Sequence, residues 1–147
     1  MVGRVFAVKP FHRFAKDEGL ADADLLLAIS NAEAGKGESD LGGGLHKVRV
    51  APRGSGKSGG YRTLVAIKSS ERSVFLHGFA KSDLDNIGKG YLALLKTTAK
   101  EVLARTDEQV KELLESGAWR EIARPIATPQ RQDNGDEKVQ DDDADEL

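Results

Sequence analysis

The sequence predicts an α+β domain in which helices pack against a small antiparallel sheet, followed by a disordered acidic C-terminal tail. Three observations lead there. Strand-like runs between positions 45 and 79 follow one another through short connections, which favours antiparallel pairing. Segments whose apolar residues recur at helical spacing stand on either side of that block. The last two dozen residues are polar and acidic, with too little apolar surface to order themselves. The expected division is a domain at 1–123 and a tail at 124–147.

Residues 4–8, Arg-Val-Phe-Ala-Val, have the β-branched and aromatic content of a short strand. Pro10 then precedes a helix marked by Phe11, Phe14 and Ala15, with Gly19 as its C-cap. A second helix is expected over 22–34, where Leu25, Leu26, Ala28 and Ile29 form an apolar stripe. Gly42-Gly43-Gly44 marks a turn with unusual backbone freedom, or the close approach of another segment. Alternation along a strand at 45–51 places Lys47, Arg49 and Ala51 on one face and Val48 and Val50 on the other. Residues 52–60 form a Gly- and Ser-rich loop. A strand at 61–67 begins one face with Arg62 and continues it with Leu64 and Ala66. A turn at 69–72 leads to a third strand at 74–79.

The remainder of the domain reads as helical. Tyr91, Leu92, Leu94, Leu95, Ala99, Val102 and Leu103 predict a helix over 88–104, with Tyr91 at a core position. Thr106-Asp107-Glu108-Gln109 fits a capping box ahead of a helix whose core face is Val110, Leu113 and Leu114. Gly117 stops it, and 118–123 reads as a last short strand in which Trp119 packs.

Composition narrows the function classes. The 147 residues suit one domain, and the absence of cysteine excludes disulfides and thiolate metal sites. A reducing cytoplasm is the expected location. No apolar run approaches the roughly 20 residues of a membrane span, and positions 1–13 lack the pattern of a signal peptide, so no membrane role is expected. His12, His46 and His77 stand on separate elements without metal-ligand spacing, and no metal or other cofactor is expected. The net charge of -2 conceals a segregation. Positions 133–147 hold eight acidic residues and one basic, which leaves 21 basic against 16 acidic residues in positions 1–132, a net of +5. Between positions 43 and 81, Lys47, Arg49, Arg53, Lys57, Arg62, Lys68, Arg72 and Lys81 face only Glu71. A basic body with an acidic tail is a footprint of polyanion binding.

Gly54-Ser55-Gly56-Lys57-Ser58 imitates a nucleotide-binding P-loop, but Ala51 stands where its first glycine belongs. A β-rich run follows where the helix of such a loop is required. The block is better explained as one concave basic patch. Lys47 and Arg49 lie on a strand, Arg53, Lys57 and Ser58 on a loop, and Tyr61 and Arg62 at the start of the next strand. Phe79 and Lys81 close the set. Cationic side chains and loop N–H groups hold phosphates, and Tyr61 or Phe79 offers a face on which a base stacks. Each aromatic has a core role as its alternative.

Leu41-Gly42-Gly43-Gly44-Leu45-His46-Lys47-Val48-Arg49, Gly56-Lys57-Ser58-Gly59-Gly60-Tyr61-Arg62-Thr63, Phe79-Ala80-Lys81 and Asp85-Asn86-Ile87 follow one another in an order and spacing that closely resembles the HigB-like branch of the RelE toxin superfamily. The likeness runs over about 4–122. It implies a compact toxin with helices packed on a small antiparallel sheet, neutralised by a cognate antitoxin, and many such toxins cut mRNA in the ribosomal A site. The implied partners are therefore an antitoxin, the ribosome and mRNA. By motif, Lys47 and Arg49 match the basic pair on the first core strand, Arg62 the arginine of the Gly-Tyr-Arg segment, and Lys81 the basic motif after the last core strand. Two positions depart from better-studied relatives, with Ser82 in place of an arginine and Ile87 in place of a catalytic tyrosine.

Metal-independent RNA cleavage needs the 2′-hydroxyl deprotonated, the pentacovalent phosphate stabilised and the leaving 5′-oxygen protonated. Clustered cations meet the second need, and a lysine among cations has its pKa lowered toward use in proton transfer. The assignment is Lys47 or Lys81 for proton transfer and Arg49 and Arg62 for phosphate. His46 is a further acid or base candidate, although alternation turns it away from Lys47. Two other readings stay open: a non-catalytic module that binds nucleic acid or a partner, and a superfamily toxin with another target such as DNA gyrase.

Overall fold

A computed structural model of the chain describes residues 3–51, 60–80 and 88–122. In chain order these form β1 (Arg4–Val8), α1 (Lys9–Asp17), α2 (Asp22–Glu33), β2 (Glu38–Gly42), β3 (Leu45–Val50), β4 (Tyr61–Lys68), β5 (Arg72–Ala80), α3 (Lys89–Ala104), α4 (Asp107–Ser116) and β6 (Trp119–Glu121). The expected tail at 124–147 lies outside the described residues, as do Arg53, Lys57, Ser58, Lys81, Ser82 and Ile87.

The strands make one six-stranded sheet in the order β2-β3-β4-β5-β1-β6. It is mostly antiparallel, as expected, with one difference. β1 inserts between β5 and β6 and runs parallel to β5, Arg4 beside Arg72 and Ala7 beside Phe75, while it is antiparallel to β6. Short connections predict neighbours only for strands adjacent in sequence, and β1 and β5 are not. β2 was not expected either. Its sequence, Glu-Ser-Asp-Leu-Gly, has no apolar alternation because it is an edge strand that buries little beyond part of Leu41.

Helices cover both faces of the sheet. On one face Phe11 and Ala15 of α1 and Leu25, Ala28 and Ile29 of α2 pack on Val5, Ala7, Val48, Val50, Val65 and Phe75. On the other, Leu95, Ala99 and Val102 of α3 and Val110 of α4 pack on Phe6, Leu45, Leu64, Ala66, Val74 and Leu76. Trp119 of β6 is buried there against Phe6, ring centroids 5.4 Å apart. Fully burying one such aliphatic side chain contributes roughly 1.5–3 kcal/mol, so these two layers hold the sheet rigid.

Local signals set the helix ends. Thr106 and Gln109 exchange hydrogen bonds as the capping box requires: Gln109 N–H donates to Thr106 Oγ1 (3.1 Å) and Thr106 N–H to Gln109 Oε1 (2.9 Å). The 42–44 turn meets both expectations at once. Its three glycines have φ of 96°, 66° and 86°, and a Cβ on Gly44 would stand 2.8 Å from Leu103 of α3. The C-terminus of α3 has no basic residue in its last turn. Arg72 of β5 supplies the charge instead: its Nη1 donates to the carbonyls of Val102 (2.9 Å) and Arg105 (2.8 Å).

One expectation for α3 is corrected. Tyr91 is not a core residue but is 41% exposed. The helix reaches past the apolar part of the sheet at its N-terminus, so its first turns have less to cover.

Candidate functional site

Of the cations singled out from the sequence, Lys47, Arg49 and Arg62 share the α3 side of the sheet, at the end of β3 and β4 away from Arg72. The register defines two transverse rows there. Lys47 of β3 stands opposite Leu64 of β4, which stands opposite His77 of β5. Arg49 stands opposite Arg62, which stands opposite Phe79. Directly opposed residues share a face with Cβ atoms about 5 Å apart, so Lys47, Arg49 and Arg62 form one half-buried basic cluster.

A β-bulge decides what β5 contributes. The register slips between Leu64 and Val65, whose partners are His77 and Phe75, leaving Leu76 as the extra residue. Without the slip His77 and Phe79 would share the α1 side of the sheet with Phe75. The bulge turns both toward α3. Phe79 is buried in the α3-side core rather than open as a stacking platform. His77 is half-buried, its ring 4.6 Å from Phe79 and 5.3 Å from Tyr91. Nδ1 of His77 lies 3.0 Å from the Tyr91 hydroxyl. Desolvation lowers the His77 pKa below its ordinary value, so the ring is neutral at physiological pH.

Two features mark the arginines as more than a solvated face. Like charges directly opposite one another across a strand pair are destabilising. In addition, Nη1 of Arg62 is buried and has no hydrogen-bond partner among the described residues, although buried donors are nearly always satisfied. Gly60 explains how the second guanidinium is accommodated. It is buried at the start of β4, and a Cβ there would lie 2.9 Å from Nε and 3.3 Å from Cζ of Arg49. The Arg49 head group thus lies against bare backbone. In the sequence Gly60 stands at the end of a Gly-rich loop and inside the family motif, with no local signal that it makes room for a side chain eleven residues earlier.

Other expected residues fall elsewhere. Tyr61 points to the opposite face, where its ring meets Phe14 edge-on at 5.9 Å. Its hydroxyl donates to Glu18 (2.8 Å), and that hydrogen bond raises its pKa. The structure therefore does not bring Tyr61 to the cations. His46 also lies on the opposite face, held by the Glu38 carboxylate. Lys68 pairs with Glu71 at 3.4 Å, and Arg72 caps α3 and approaches Asp107 at 3.6 Å, so both belong to the far end of the sheet.

A sequence profile described as RelE toxin of the RelE/RelB toxin–antitoxin system matches residues 3–122, most of the chain and all of the sheet. The chain belongs to the RelE toxin family. It is a toxin of a toxin–antitoxin system, and a cognate antitoxin is the partner that membership implies. No curated protein matches it. The matched span ends with β6, and both rows of the RelE toxin's basic cluster fall inside it. Among the described residues no helix is long and apolar enough to cross a membrane.

Proposed function

We propose that the toxin is a ribosome-dependent mRNA endoribonuclease of the cytoplasm that cuts by metal-independent acid/base chemistry. The observation that carries this reading is the opposed pair Arg49 and Arg62 with Arg62 Nη1 buried and unpartnered. A donor left unsatisfied at a cost of about 1–3 kcal/mol, next to a second guanidinium, suits an anion that arrives later and accepts from both. The scissile phosphate gains charge as it becomes pentacovalent, so fixed guanidinium donors favour that state over the ground state.

In this reading Arg49 and Arg62 hold the phosphate, and Lys47 stands at the cluster's edge for proton transfer, a role for which Lys81 is the sequence alternative. Arg53, Lys57 and Ser58, which lie between β3 and β4 in the sequence, are assigned to the contact along the RNA backbone. Dependence on the ribosome is taken from the family resemblance.

Brief induction in bacteria with 5′-end mapping of transcripts, comparing the wild type with Arg62→Ala, tests the reading. New ends inside translated regions are expected, absent in the variant and when ribosomes are blocked. Growth arrest with intact message and damaged DNA would replace the nuclease with a gyrase poison.

A further inference from the structure

We propose that the basic cluster has a second occupant: the acidic segment at 133–146 of the same chain, whose carboxylates accept from Arg62 when no RNA is bound. The contact needs only that the cluster takes anions, so it goes beyond the nuclease reading, and its effect on RNA binding alone rests on that reading. The segment lies outside the described residues. Its charge suits the cluster, with eight acidic residues and one basic at 133–147 against a net of +5 for positions 1–132. Attraction by itself picks no place on the body, but the salt bridges do. At the end of the sheet where β6 stops, Arg4 already pairs with Glu121 (2.9 Å), Lys68 with Glu71 (3.4 Å) and Arg72 with Asp107 (3.6 Å). At the opposite end, no carboxylate among the described residues pairs with Lys47 or Arg62. Nη1 of Arg62 is buried there without a partner among those residues, and Arg49 stands across from it. A carboxylate satisfies that donor and is attracted by both guanidinium groups.

The tether is long enough. Ile122 donates its N–H to the carbonyl of Val5 (2.8 Å), and the register leads from Val5 to Ser73 of β5 and from Ser73 to Ile67 of β4. Three strand spacings across the sheet and five residues along β4 therefore separate Ile122 from Arg62, about 22 Å on the diagonal. At about 3.3 Å per residue, Asp133 lies within about 36 Å of Ile122 and Asp141 within about 63 Å. The first length spans the sheet, and the second also passes around the helices on that face. Joined to the body, the segment presents carboxylates to the cluster at a higher local concentration than a separate acidic peptide does. RNA phosphates and the segment then compete for the same donors. A cluster held by the segment about three-quarters of the time has an apparent RNA affinity about fourfold below its intrinsic one.

Carbodiimide coupling of carboxylates to amines in the full chain, followed by peptide mapping, reads the contact without RNA. Lys47 is expected to couple to 133–146 at least about fivefold more than the exposed Lys16 and Lys111 do, and within one chain when isotopically light and heavy chains are mixed. Even coupling to the three lysines, or coupling only between chains, would overturn the proposal. Affinity for a single-stranded RNA oligonucleotide is then compared between the full chain and one carrying Asp→Asn and Glu→Gln at every acidic position from 133 to 146. The neutral segment is expected to raise affinity about fourfold with Arg62 present, and less than about 1.5-fold in an Arg62→Met background. An equal gain in both backgrounds would be a general repulsion between the segment and RNA, and would also overturn the contact. If neither chain bound RNA while Lys47 still coupled to the segment, the RNA reading of the cluster would fall and the contact would stand.

Discussion

Arg49 on β3 and Arg62 on β4 stand directly opposite one another, and one terminal nitrogen of Arg62 is buried without a hydrogen-bond partner among the described residues. Neither feature helps the chain fold. Both lower the free energy of a bound anion, because the donors are already placed and desolvated before it arrives.

Removing that conflict is expected to stabilise the protein. Arg62→Met keeps the aliphatic stem and deletes the head group. Urea unfolding is expected to show a gain of roughly 1 kcal/mol, from relief of cross-strand repulsion and of an unsatisfied donor. Toxicity is lost in the same variant. A loss of stability would mean that the guanidinium holds the fold together.

Gly60→Ala tests whether the Arg49 head group needs bare backbone beside it. The new methyl would meet Nε at 2.9 Å, so the flexible guanidinium moves rather than the strand. RNA affinity at low salt is expected to fall about tenfold, a change of about 1.4 kcal/mol, while stability shifts by less than about 1 kcal/mol. Unchanged affinity would place Arg49 outside the contact.

Salt dependence counts the cations. For single-stranded RNA the slope of log affinity against log salt is about −0.7 per neutralised phosphate, so Lys47, Arg49 and Arg62 contribute roughly −2, and Arg53 and Lys57 bring the expected total to roughly −3.5. Arg62→Met should reduce its magnitude by about 0.7. A wild-type slope near zero would show that the cluster does not meet phosphates.

His77 adds a pH signature to stability. Its folded pKa is lowered by burial, below the value of about 6.5 expected in the unfolded chain. Between those two values the unfolded chain binds more protons. Stability therefore rises with pH across that window and is level above it. His77→Gln is expected to flatten this part of the curve of Tm against pH, and curves that stay parallel would contradict the assignment.

Arg72→Met should weaken the far end of the sheet. The side chain is only 13% exposed and is hydrogen-bonded to the carbonyls of Val102 and Arg105. A loss of about 2–3 kcal/mol is expected in chemical unfolding, since hydrogen bonds to a charged group are the stronger kind. A change under half a kcal/mol would show that water replaces the cap at no loss.

What could be read from the sequence was local. The Thr106 box, Gly117 at the end of α4, and the placement of Lys47 and Arg49 on one face of β3 each depend on residues within a few positions of one another. The pairing of Arg49 with Arg62 was not among these, because the long connection between β3 and β4 does not fix their register. The remainder depended on tertiary facts with no local signal. Strict alternation from Val74 turns His77 and Phe79 to the wrong side of the sheet, because the bulge at Leu76 is invisible in a run of apolar residues. Tyr91 fits a helical stripe, and periodicity does not say where along the helix the apolar sheet beneath it ends. β2 shows no alternation since an edge strand has little to bury.

The placement of β1 also has a consequence in time. Phe6, near the start of the chain, has Val74 on one side and Glu121 on the other. β1, made before the other five strands of the sheet, is therefore the last of the inner strands to be flanked on both edges. At about 5–20 residues per second, roughly 6–23 s of translation separate Phe6 from its second neighbour. During that interval the sheet has an open edge, and α4 and Trp119 have not yet closed over Phe6. A protein whose proposed substrate is message on ribosomes thus completes its own sheet only once β6 has been made.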